Sequence, residues 1–374
     1  MGYVLISFLS WLILRFLVLR RLPCGRPART VLSCLFFLPI LYYAYLQASC
    51  FIVLPEPSFG TAILMGAWCG TVLIAAPPAS AGVLCLMRFG RKKSMRRVGA
   101  GACLIFSLFF SSVLVLCGLR EGLSVPSVQE VSVNLPAGCD ALDGIRMAVI
   151  SDLHLGCATP PGWLEETLRR IKEARADIIL LDGDLSDGRP EDRRSDLARL
   201  GTLEAPFGVW AVPENHEYYV DYAGIMAALP DSVHVLANSH ARLRTSLGTF
   251  VLAGVTDRKA RARGLPGPDI EKALSGLSGD GAIGPVLLMS HRPAGWSRNA
   301  ARGVVLQICG HTHGGQFIWN RLFLRLIGRR YLHGLFERNS SLLWVGSGAS
   351  QWFGFPLRVG VPPEIAVLNL HAGS

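Results

Sequence analysis

Charge is scarce in this chain and unevenly placed. Charged residues make up 17% of its 374 positions and hydrophobic ones 51%, and the mean hydropathy is +0.37. That balance excludes an ordinary soluble protein throughout. The apolar excess lies almost wholly before Leu119. Paired cysteines are missing too. Of ten cysteines, Cys24, Cys34, Cys50, Cys69, Cys85, Cys103 and Cys117 fall in or beside the apolar half, where Cys acts as a small apolar residue. Cys139, Cys157 and Cys309 stand far apart with no CxxC pair, which excludes a disulfide framework and argues against a thiolate zinc site. No positive charge precedes the first apolar run, and a second run follows at once, so a cleaved signal peptide is not expected. No basic stripe with interleaved aromatics is present, so no nucleic-acid partner is expected. The formal net charge of +10 then points to an anionic membrane surface or an anionic substrate.

Four apolar stretches are long enough to cross a bilayer, which takes about 20 residues. They are Tyr3–Leu19, Val31–Leu54, Thr61–Met87 and Val98–Leu119, with Pro39 inside the second and Pro77-Pro78 expected to kink the third. The loops after the first and third are basic: Arg20, Arg21, Arg26 and Arg29, then Arg88, Arg91, Lys92, Lys93, Arg96 and Arg97. The loop Pro55–Gly60 carries only Glu56. Basic loops mark the cytoplasmic side, so an integral, multi-pass protein is expected, with everything after Leu119 on the extracytoplasmic side. Residues 1–119 read as an all-α transmembrane region. Residues 120–143 read as a tether with an edge strand near Gln129–Leu135, and 144–374 as a second domain.

That second domain repeats one pattern. A short apolar run ends, and a metal-ligating residue type follows. Ile145–Ile150 leads to Asp152 and His154, Ile178–Leu181 to Asp184 and Asp187, and Val209–Val212 to Asn215 and His216. Val286–Met289 leads to His291, and Val304–Ile308 to His311 and His313. Such runs read as buried strands. Trp163–Arg175, with Leu164, Leu168 and Ile171 on one face, reads as a helix between two of them. Alternating strands and helices predict an α/β sheet, whose ligands bind beyond the carboxyl ends of the strands. Singly, each piece has a bland reading: Asp152 or Asn215 as a helix cap, Gly183–Asp187 as an acidic turn, His291 as a core histidine. Five such pieces at successive strand ends favour one metal site. Carboxylate, imidazole and amide without thiolate suit Mn, Fe or Zn.

The order and spacing of Asp152-x-His154, Gly183-Asp184-x-x-Asp187, Asn215-His216-Glu217, His291 and Gly310-His311-x-His313 resemble the calcineurin-like metallophosphoesterases. The Gly310–Gln316 turn and Pro356-Leu357-Arg358…Pro362-Pro363-Glu364-Ile365 look like the membrane-anchored branch of that superfamily. The resemblance implies a four-layer α/β/β/α sandwich with two divalent metal ions. Asp152, His154, Asp184 and His313 would hold the first. Asp184 would bridge to the second, with Asn215, His291 and His311. A metal-bound hydroxide would attack phosphorus, with His216 as proton donor or transition-state stabiliser and Asp187 orienting it. Arg292 is a candidate for phosphate contact. Membrane lipids are the expected partners and lipid or cell-envelope phosphoesters the expected substrates. A nucleotide phosphodiesterase and a catalytically weak metal-binding sensor are the alternatives.

Two features depart from a plain reading. Glu214 stands where the family usually has glycine; its side chain either points to solvent, or tunes the metal site or blocks substrate, or impairs catalysis with metal binding retained. Phe317–Phe336 mixes aromatic and aliphatic residues with Arg321, Arg325, Arg329 and Arg330. It reads either as an ordinary packed loop or as a lid resting on lipid headgroups.

Overall fold

The computed structural model describes residues 2–49, 56–90, 92–277 and 284–373. They form two compact units, Met1–Glu121 with Phe355–Leu357, and Gly122–Gly354 with Arg358–Ser374.

The first unit is helical: α1 (Gly2–Ile13), α2 (Arg26–Ala48), α3 (Phe59–Phe89) and α4 (Lys93–Gly122). The last three are long and apolar enough to cross a membrane. The expected first span differs from this. α1 has only 12 residues, and the chain continues as a π-helical stretch over Leu14–Val18 and a 3-10 turn over Leu19–Arg21. Three candidate spans therefore stand among the described residues where four were expected. Pro77 and Pro78 lie inside α3, which runs through them as a single helix. The expected second span stops at Ala48, and its end, residues 50–54, lies outside the described residues. Indole donors tie the helices together, Trp11 Nε1 to Ser33 O at 2.8 Å and Trp68 Nε1 to Leu35 O at 2.9 Å. Ile105, Phe106, Phe109 and Leu116 of α4 face outward with about two thirds of their surface bare. In water such a patch would need a partner; in lipid it is the solvent-facing side.

The second unit holds two six-stranded mixed sheets. Its elements run β1 (Ser127–Ala137), β2 (Arg146–Ile150), α5 (Trp163–Glu173), β3 (Ile178–Leu181), α6 (Pro190–Arg199), β4 (Val209–Ala211), α7 (Asn215–Tyr219), α8 (Tyr222–Ala228) and β5 (Val233–Val235). Then come β6 (Ser239–Thr245), β7 (Gly248–Gly254), α9 (Ile270–Ala273), β8 (Val286–Met289), α10 (Trp296–Ala300), β9 (Val304–Cys309), α11 (Ile318–Leu326), β10 (Gly334–Arg338), β11 (Ser341–Val345) and β12 (Glu364–Gly373).

The first sheet has the order β1-β12-β2-β3-β4-β5 and the second β10-β11-β9-β8-β7-β6. β2, β3, β4 and β5 are parallel, while β12 enters antiparallel to β2 and carries β1 at the edge. The two sheets bury a common core: Met147, Val149, Ile178 and Leu180 from one pack with Leu252, Leu287, Leu306 and Trp344 from the other. The opposite face of the first sheet is covered by apolar residues of α5, α6 and α8, among them Leu164, Leu168, Leu197 and Ile225. Burial on both faces is why these strands read as unbroken apolar runs.

Candidate metal centre

The candidate ligands sit where parallel strands end. β2, β3 and β4 are neighbours in the first sheet, β8 and β9 in the second. Their following loops are laced by backbone bonds: Asp152 N to Gly183 O (3.1 Å), His154 N to Asp184 O (3.0 Å) and Gly310 N to His291 O (2.9 Å). The loops are also strained. Asp152, His154, Asp184, His311 and His313 all have positive φ, between 42° and 65°, a region that costs a non-glycine residue energy and clusters at functional sites. Two glycines permit the close approach. A Cβ on Gly310 would lie 2.5 Å from Asp152 Oδ2 and Ser151 Oγ, and one on Gly183, whose φ is +77°, would lie 2.2 Å from Glu214 Cγ.

The structure brings Asp152, His154, Asp184, Asn215, His291, His311 and His313 into one cluster, buried except for His311, which is half-buried. Ligand-forming atoms fall into sets small enough to hold an ion: Asp152, His154 and His313; then His154, Asp184 and His216; then Asp184, His291 and His311. Asp184 is common to the last two. Its Oδ2 lies 3.1 Å from His291 Nε2 and 3.9 Å from His154 Nε2, and the Asn215 amide donates to it at 3.3 Å.

Second contacts aim the rings. His291 Nδ1 lies 2.5 Å from Asp182 O and His313 Nδ1 lies 3.3 Å from Ser350 O, which turns each Nε2 inward, as outer contacts do for metal-bound histidines. Nε2 of His154 is buried with no hydrogen-bond partner, and Nε2 of His313 faces Asp152 Oδ1 at 3.1 Å. A buried, inward-facing nitrogen without a partner, beside carboxylates and with no thiolate, fits divalent cations.

Electrostatics point the same way. Burial works against charge on Asp184, yet His216 and His291 hold its pKa well below the usual carboxylate range. Burial pulls the His216 imidazole down, but Asp184 and Asp187 outweigh it and hold it up at about 9. Burial pulls His313 down to about 4, and burial with the Arg292 charge pushes His311 well down. Asp182 and Glu214 are also buried here, and burial drives both pKa values well up. Acids crowded this tightly favour compensation by cations.

Asp187 Oδ1 lies 2.5 Å from His216 Nδ1 and 3.2 Å from His154 Nδ1, so it faces both rings rather than His216 alone. Arg292 is half-buried and sits among candidate ligands. Its Nη2 donates to Asn215 Oδ1 at 2.5 Å, its Nε to Asp257, and its Nη1 meets His311 Nε2. Glu214 overturns one expectation. Its side chain turns inward and is 2% exposed. Its backbone is extended, at φ −128° and ψ −167°, so nothing local demands glycine.

Sequence reasoning missed the residues that clamp the loops. Glu217 accepts from three backbone N–H groups, Leu185 at 2.7 Å, Glu214 at 2.8 Å and Asp184 at 3.3 Å, and so joins the Asp184 loop to the Asn215 loop. Burial, then the Asp184 charge, pushes its pKa up to about 7 against the pull of those donors and of His216. Arg358, fully buried, donates to Val361 O at 3.1 Å and Ser347 O at 2.8 Å, and its Nη2 lies 3.2 Å from His313 Nδ1. In the sequence its marks are its place between Leu357 and Val359 and within the Pro356–Ile365 motif, neither of which assigns it a role. His333 pairs with Glu364 at 3.0 Å, and His240 Nδ1 meets Ala273 O at 2.7 Å.

Residues 145–315 match the calcineurin-like phosphoesterase family. The chain is 34% identical over 257 residues to an uncharacterized metallophosphoesterase of Helicobacter pylori, covering 68% of this chain and 66% of that one. It is 28% identical over 302 residues to a transmembrane protein with metallophosphoesterase domain from Danio rerio, covering 76% and 68%. A protein with the same description from Bos taurus is 29% identical over 279 residues, covering 71% and 62%. The chain thus spans just under two thirds of the length of its Helicobacter relative. With the motif, the clustered ligands and the apolar helices in one sequence, the chain belongs to the calcineurin-like metallophosphoesterase family and resembles its membrane-anchored members.

Proposed function

We propose that this chain hydrolyses phosphoester bonds of lipid or cell-envelope molecules, using two divalent metal ions held in the four-layer sandwich its family implies. The observation that carries the reading is the convergence of Asp152, His154 and His313 with Asp184, His291 and His311, Asp184 Oδ2 lying 3.9 Å from His154 Nε2 and 3.1 Å from His291 Nε2. Asp152, His154, Asp184 and His313 would hold one ion, and Asp184, Asn215, His291 and His311 the other. Mn, Fe or Zn suits these donors. When bound, such ions polarise phosphoryl oxygens and acidify water.

The chain's own residues supply the proton chemistry. The Asp184 and Asp187 carboxylates flank His216 and favour its charged form against burial, and a protonated imidazole suits donation to a leaving oxygen. Asp187 fixes the ring by its contact with Nδ1, leaving Nε2 as the atom for substrate.

The membrane region supports the choice of substrate, since it keeps the domain beside lipid headgroups. Basic loops on either side of α2–α3 favour a catalytic domain outside the cytoplasm. This assignment stands whether or not α1 crosses, because α2, α3 and α4 alone carry the chain from the basic side to the far side. One observation favours the sensor alternative: Arg292 engages Asn215 and His311, two of the second set.

The test is hydrolysis of a generic phosphodiester and phosphomonoester by the full chain in lipid vesicles, with and without Mn²⁺, beside His216→Ala. Turnover that needs metal and falls sharply in the variant is expected. Bound metal with no turnover on any lipid-borne substrate would favour the sensor.

A further inference from the structure

α11 is built the wrong way round for a helix that packs on its own domain. None of its nine residues is buried. Ile318, Trp319, Leu322, Phe323, Leu326 and Ile327 are exposed by 41, 41, 55, 56, 85 and 58%. At 3.6 residues per turn these six fall within one half of the helix. The other half carries Asn320, Arg321 and Leu324, all half-buried, and meets the protein by hydrogen bonds. Asn320 Nδ2 donates to Gly315 O at 2.8 Å and Arg321 Nε to Gly314 O at 2.9 Å. Apolar side chains thus point away from the protein, and hydrogen bonds hold the inner face to the turn that carries His311 and His313.

The flanks are basic. Arg325, Arg329 and Arg330 are exposed, and no acidic residue occurs between Phe317 and Phe336. An apolar face bordered by arginines has the chemistry of a helix lying at an anionic bilayer surface. A second copy of the chain is a poorer occupant, since pairing the two apolar faces would crowd six exposed arginines of one sign. The same chain carries three helices apolar enough to span a membrane, and the last ends at Gly122, five residues before β1 begins at Ser127. A bilayer is therefore always at hand.

We infer that α11 is a membrane-docking helix whose outward apolar face enters the interface of an anionic lipid bilayer while Arg325, Arg329 and Arg330 meet lipid phosphates. Docking brings the His311–His313 turn to the level of the headgroups. The inference rests on the membrane-embedded reading of the chain and not on its being an active phosphoesterase.

The test is amide hydrogen exchange of the full chain in nanodiscs of phosphatidylcholine, alone or mixed with phosphatidylglycerol. With the anionic lipid, exchange across 318–327 is expected to be at least about tenfold slower than in Leu322→Asp/Leu326→Asp. Strands β2–β4 should exchange alike in both, since the altered side chains are exposed. Arg325→Gln/Arg329→Gln/Arg330→Gln should lose the response to phosphatidylglycerol. Equal exchange in all proteins and both lipids would overturn the inference. So would protection that depends on protein concentration rather than lipid, which would make a second copy the occupant. Fast exchange throughout α2–α4 would overturn the membrane reading beneath it.

Discussion

Glu217 is the residue whose removal should cost most outside the ligand set. Its carboxylate gathers the N–H groups of Asp184, Leu185 and Glu214, and these residues are 1, 0 and 2% exposed. Water cannot readily replace the lost acceptor. Glu217→Ala leaves three buried donors unsatisfied at roughly 1–3 kcal/mol each. These costs are not additive within one network, so about 3–5 kcal/mol is the expected total. For a domain of this size that lowers Tm by roughly 2–4 °C per kcal/mol, or about 6–20 °C. Glu217→Gln should fall between. In its better orientation the amide oxygen keeps the two donors on Oε2, and the NH₂ group opposes the Leu185 N–H, costing roughly 1–3 kcal/mol. The assay is thermal unfolding of the chelated protein, read by tryptophan emission, so that metal binding does not mask the effect. Metal titration of the same proteins should show weaker binding, because Asp184 and Asn215 are no longer held in register. The reasoning is refuted if Glu217→Ala melts within about 2 °C of the parent, or if Gln costs as much as Ala.

Other consequences are as direct. Chelation should lower Tm, since an ion held at a hundred times its Kd contributes about 2.7 kcal/mol; a melting curve indifferent to EDTA and Mn²⁺ would remove the metal centre. Arg292→Ala takes a positive charge from Asn215 and His311, so it should raise the bound-metal stoichiometry at limiting metal, measured by elemental analysis; unchanged stoichiometry would show that the guanidinium does not compete. Glu364 gives a pH signature. Burial favours its neutral form, but bonds from His333 and the Ser347 N–H and the Arg358 charge hold its pKa below the ordinary 4.5. A lowered folded value means the stabilisation is fully present above 4.5 and is lost as pH falls through the folded value. Tm of Glu364→Gln should therefore be lower than the parent's near neutral pH and converge with it in acid. Parallel curves would refute the pairing.

The sequence by itself located the chemistry. Parallel strands buried on both faces read as continuous apolar runs, so β2, β3, β8 and β9 were legible, and the turn after each displayed its ligand types. The long apolar helices were legible for the same reason, because burial in lipid or core leaves a composition that any window of residues records. What lacked a local signal was decided by tertiary structure. β12 inserts between β1 and β2, pairing Asn369 with Arg146, and nothing near either residue announces a partner so distant in sequence. α1 gives way to a π-helical stretch at Leu14 where composition alone promised a span. Glu214 was open to a solvent-facing reading until the structure turned its side chain inward. Glu217 and Arg358 look like ordinary charges in the sequence; only the folded chain brings to them backbone groups of other loops. Asp152, Asp184 and His311 take a left-handed φ where bonds tie their loops together. Residue type and period are local properties and survive in the sequence, whereas register, clamping and strain exist only once distant strands have met.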